Sequence, residues 1–109
     1  MNKAKTKAQP VIPRKIKVGR KQYSIDVVES MIERGHMAKV YYDDSKIKIG
    51  KCSNVTGKAF SDVAVQDSFW HEITHAILYD MGRHRLNADE KFVTEFANRL
   101  TAAINSARF

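Results

Sequence analysis

Two histidines four positions apart, His71 and His75, enclose Glu72 in the order His-Glu-Ile-Thr-His. On a helix this spacing puts both imidazoles on one face, a single turn from each other. Both rings can then reach one zinc ion, and the glutamate between them stands beside the water the metal activates, as a general base. The flanks Asp67-Ser68-Phe69-Trp70 and Ala76-Ile77-Leu78-Tyr79 continue the helix that the motif requires.

A catalytic zinc usually takes three protein ligands and leaves one position open. The metzincin arrangement would need glycine at position 78 and histidine at 81, and this chain has Leu78 and Met81. The remaining source is an acid from a later helix: Asp89, Glu90 or Glu95. At ~100° per residue, Glu90 flanks the apolar stripe in register with Val93, Ala97 and Leu100. Asp89 lies near the stripe's centre but at the helix start, and Glu95 faces water. Register favours Glu90, with Glu95 and Asp89 left open and His84 a weaker alternative.

The elements that must position these groups follow from periodicity. Ile16-Lys17-Val18 starts an alternation, Gly19-Arg20-Lys21 turns the chain, and Tyr23, Ile25 and Val27 mark a half-buried strand. Residues 28–34 read as one or two helical turns closed by Gly35. Ala38–Tyr42 and Lys46–Gly50 flank Asp43-Asp44-Ser45 and predict a hairpin, with Ile47 and Ile49 on its buried face. Residues 51–60 read as a loop. Ser61 or Asp62 caps a long helix that buries Val65, Phe69, Trp70, Ile73, Ala76, Ile77 and Met81 and stops at Gly82. Asn87, with Glu90 three positions on, has capping-box spacing for a second helix. Its expected buried stripe is Phe92, Val93, Phe96, Ala97, Leu100 and Ile104. The fold class is therefore α+β: a small, mainly antiparallel sheet followed by the active-site helix and a second packed helix.

With 109 residues, 43% of them hydrophobic and 28% charged, the chain makes one small globular domain. No apolar run is long enough for a membrane span, and no secretory signal is expected. Cys52 is the single cysteine, so no intrachain disulfide forms and a reducing, cytoplasmic setting is the simplest reading. The net charge of +7 is concentrated at one end. Residues 1–22 hold eight lysines and arginines and no acid, while the remainder holds 11 basic and 12 acidic residues. This end is either a solvated leader or an attractor of nucleic acid. Residues 1–10 are polar and lysine-rich, and disorder is expected there. The division is a basic tail over residues 1–13 and a single domain over 14–109.

The segment from Phe69 to Leu78, then Met81-Gly82, Asp89–Val93 and Phe96-Ala97, resembles the small phage-encoded zincins, minimal relatives of ImmA/IrrE-type metallopeptidases. The resemblance covers about residues 36–104. It implies a minimal zincin fold with the strand ending at Ile49 at the sheet edge beside the site, zinc as cofactor, a protein or peptide substrate and, for a phage product, the host cytoplasm. It also implies that the third ligand, a glutamate upstream of a Phe-Ala-like pair, is Glu90. The chain lacks the repressor-like DNA-binding module of the larger relatives. The implied chemistry is peptide hydrolysis with Glu72 as general base. Tyr79, Tyr41, Tyr42 and His84 are candidates for stabilising the oxyanion, each more simply read as packing or surface. Trp70 reads as core, His36 as surface and Cys52 as an inert thiol. A non-catalytic zinc protein that binds a host protein or nucleic acid is the alternative, and Glu72→Gln separates the two.

Overall fold

Alternation builds the first half of the chain. The computed structural model describes residues 12–109; the expected disorder of residues 1–10 lies outside that range. Strand β1 (Lys15–Val18) turns through Gly19 and Arg20 into β2 (Lys21–Val28), its antiparallel partner. Val18, Tyr23 and Ile25 point inward and are buried. Gly19 has φ +61°, a backbone conformation that favours glycine, and a Cβ there would displace the Asp80 carboxylate. Ile12 packs against the core although it falls within the expected tail of residues 1–13.

The predicted hairpin forms from β3 (Ala38–Tyr41) and β4 (Lys46–Gly50). The sheet order is β1-β2-β4-β3, and the central β2–β4 pair is parallel, with Ile25 opposite Ile47. This corrects one expectation: the strand ending at Ile49 is interior, and the free edge belongs to β3. An interior place buries Ile47 and Ile49 completely. The helical turns expected over residues 28–34 do not form. Asn54 supplies the partners a helix would have given. Its Nδ2 donates to the carbonyls of Met31 (2.7 Å) and Glu33 (2.8 Å), and its Oδ1 accepts from Gly35 N–H (2.9 Å).

Helix α1 (Asp62–Asp80) is capped by Ser61, whose hydroxyl accepts from Ala64 N–H. It ends in a Schellman pattern: Gly82 N–H donates to Tyr79 O and Arg83 N–H to Leu78 O, with Gly82 at φ +72°. Phe69, Ile73 and Ala76 pack onto the sheet, whereas Ile77 and Met81 are exposed, contrary to expectation. A short turn, α2 (His84–Asn87), precedes α3 (Glu90–Ser106). Asp89, not Asn87, caps α3, accepting from Phe92 N–H at 3.1 Å, so Glu90 is the first residue of the helix. The buried stripe of α3 is Val93, Ala97 and Thr101. It is narrower than expected because its small residues let α3 lie close to α1, which leaves Phe96 and Ile104 exposed. Thr101 Oγ1 donates across that contact to Asp67 Oδ1 at 3.1 Å.

Candidate metal centre

The end of α1 and the turn α2 reverse the chain, so the first turn of α3 meets the middle of α1. His71 and His75 stand one turn apart there, their ring centres 5.0 Å from each other. His71 Nε2 lies 3.1 Å from Glu90 Oε1, and His75 Nε2 lies 3.1 Å from Glu90 Oε2. One donor atom from each of the three residues lies within 4.8 Å of the others, the one such group among the described residues. Two imidazole nitrogens and a carboxylate oxygen make a donor set that suits zinc, so the residues fit the metal the motif implies.

Asn87 joins this group. Its Oδ1 lies 2.6 Å from His75 Nδ1, and its Nδ2 donates to Tyr42 Oη at 3.2 Å. An amide oxygen only accepts, so Nδ1 carries a proton, which leaves Nε2 as the ring nitrogen available to a metal. Tyr42 is itself held by stacking on Tyr79, with ring centres 4.0 Å apart. Sequence reasoning missed this role. Asn87 was read as a helix cap, and its spacing carries no signal of a tertiary partner.

Glu72 is buried beneath β3, only 7% exposed. Burial pushes its carboxyl up to about 7, with His75 pulling it down and Glu90 pushing it further up. Val40 of β3 turns its backbone N–H toward that carboxylate. Burial, followed by the neighbouring His75, holds His71 below the ordinary histidine value against the pull of Glu90. Beside His71 and Glu72 opens a cleft of about 410 Å³, bounded by residues 35–38, the first half of α1 and Thr94.

The other candidates lie elsewhere. Glu95 is exposed and Asp89 is engaged as the cap. His84 faces the Tyr79 ring edge-on at 6.5 Å and is outside the metal group. Tyr41 points to the opposite face of the sheet, where its hydroxyl is 3.5 Å from Glu33. Trp70 packs edge-to-face on Phe69. His36 is exposed and borders the cleft. The Cys52 thiol lies 3.3 Å from Glu29 Oε2, and that carboxylate pushes its pKa up, the reverse of activation. Among known proteins, no family model, no curated protein and no solved structure matches the chain.

Proposed function

We propose that the protein is a zinc-dependent peptidase. The observation that carries this reading is the convergence of His71 Nε2, His75 Nε2 and both Glu90 oxygens, with Glu72 adjacent and outside the donor group. Bound zinc would supply Lewis acidity, lowering the pKa of water and polarising a carbonyl. Glu72, adjacent to the donor group and outside it, takes the proton from the attacking water and returns it to the leaving amine. Asn87 keeps His75 in the tautomer and orientation that ligation needs.

The free edge of β3 favours an extended peptide as substrate. Gly50 N–H donates to Met37 O, so in an antiparallel ladder the hydrogen-bonded pairs continue at Lys39–Lys48 and Tyr41–Lys46. Ala38 and Val40 therefore direct their backbone groups away from β4, along the edge that borders the cleft. A peptide laid there pairs with the backbone groups of Ala38 and the Val40 carbonyl, the Val40 N–H being turned to Glu72, and brings its own carbonyl past Glu72.

Metal content by elemental mass spectrometry, paired with hydrolysis of a quenched-fluorescent peptide library, tests the proposal. Wild type and Glu72→Gln should each hold one zinc per chain, His71→Ala none and Glu90→Ala less, with hydrolysis by wild type alone. A wild type that stays metal-free after zinc addition would sink the reading. Full zinc occupancy with no hydrolysis would leave a structural zinc in a binding protein.

A further inference from the structure

The helices cover one face of the sheet and leave the other open. Alternation turns Val18, Tyr23, Ile25, Ile47 and Ile49 toward the helices. It turns Lys15 and Lys17 of β1, Lys39 and Tyr41 of β3, and Lys46 and Lys48 of β4 the opposite way. Register aligns them: Lys15 lies opposite Ser24, Ser24 opposite Lys46, and Lys46 opposite Tyr41, one row across all four strands. Asp26, Lys48 and Lys39 form the next row, with Lys48 between the other two. Asp26 is the only acid at an outward strand position among the described residues.

Lys46 pairs with Asp26 at 3.4 Å and Lys39 with Glu33 at 3.3 Å. Lys15, Lys17 and Lys48 have no acidic partner among the described residues. Tyr41 sits amid the cations, with the Lys39 and Lys48 ammonium groups 5.3 and 5.6 Å from its ring centre. Beside it a hollow of about 210 Å³ lies between Val28, Met31, Ile32, Tyr41 and Lys48. Ile32, on its wall, is 90% exposed.

Cations spread across a sheet around an aromatic ring and an apolar hollow fit a flexible polyanion that also carries flat, apolar faces. Lysines neutralise phosphates, and a ring beside a hollow accepts an unstacked base. We infer that the open face of the sheet binds single-stranded nucleic acid, with Lys15, Lys17 and Lys48 on phosphates and Tyr41 under a base. The inference concerns the face opposite the metal centre and stands whether or not the protein is a peptidase.

Fluorescence anisotropy of a labelled oligothymidylate, titrated with the full chain over a salt series, tests it. Affinity should fall with salt, with a log–log slope of about −2 to −3, as ~0.7 counterion is released per phosphate contacted on a single strand. The Lys15→Gln/Lys17→Gln/Lys48→Gln variant should bind about tenfold more weakly or worse and flatten the slope. Tyr41→Ala should lose about tenfold, and Tyr41→Phe should bind like wild type because the ring is retained. Circular dichroism checks that each variant is folded; the lysine variant changes only surface groups and decides the matter if Tyr41→Ala unfolds. The inference is overturned if wild type does not bind, or if the lysine variant binds undiminished. Duplex DNA bound as tightly as the single strand, or tighter binding to phosphatidylserine vesicles, would also overturn it.

Discussion

His75 can ligate a metal through Nε2 alone once Nδ1–H is committed to Asn87. A partner of this kind is typically worth about 10- to 100-fold in metal affinity. Asn87→Leu should therefore weaken zinc binding by about that factor, measured by competition with a chromophoric chelator, while Asn87→Asp keeps most of it. Glu72 makes a second prediction, with a sign fixed by its environment. Its folded pKa of about 7 lies above the ordinary 4.5, so the metal-free native state binds the proton more tightly than the unfolded chain does. The stability this contributes is complete below the ordinary value and is lost as pH rises through the folded value. In chelator, Glu72→Gln should melt higher than wild type at pH 9, with the gap closing toward pH 5; no pH-dependent gap would refute the shifted carboxyl. At this scale the motif made His71, Glu72 and His75 legible, and helical register favoured Glu90. Asn87 was hidden because capping and tertiary hydrogen bonding call on the same side-chain chemistry.

Elements are legible where periodicity is strong and illegible where a distant side chain overrides it. Tyr23 and Ile25, like Ile47 and Ile49, announce strands and their buried faces, yet alternation is silent about which strand neighbours which. The edge position expected for β4 comes from the resemblance to zincins and not from the pattern. Residues 28–34 resemble one or two helical turns locally, but Asn54 engages the Met31 and Glu33 carbonyls and the Gly35 amide from outside. The chain leaving that segment brings Gly35, His36 and Met37 to the wall of the cleft. Asn54→Ala leaves the Met31 carbonyl and the Gly35 amide without a partner, while the Glu33 carbonyl keeps the His36 N–H, and should cost about 2 kcal/mol. Hydrogen exchange should speed up at residues 31–37 first, with α1 protection falling only by the global loss. A uniform change across the chain would argue against a local pin.

For the whole molecule, the proposed metal ties α1 to the start of α3, the two helices also joined by the Thr101–Asp67 bond. A small domain with one modest core gains much from such a tie. Zinc at about 100 times its dissociation constant adds ~2.7 kcal/mol. For a chain of this size that should raise the melting temperature by about 10 °C or more, reversed by chelator. An unchanged melting temperature would contradict the site. The α+β class and the helix pair were readable from pattern alone, whereas the parallel seam at the sheet's centre was not, since no local signal encodes it. That seam has a kinetic meaning. Residues 15–28 and 38–50 are each a hairpin closed by a short turn, so each ribbon zips from its own turn without help from the rest of the chain. Joining β2 to β4 requires the two ribbons to meet across the segment between them, and non-local pairing is the slow kind. The β2–β4 register, with Ile25 beside Ile47, is thus where the folding clock of this protein is set.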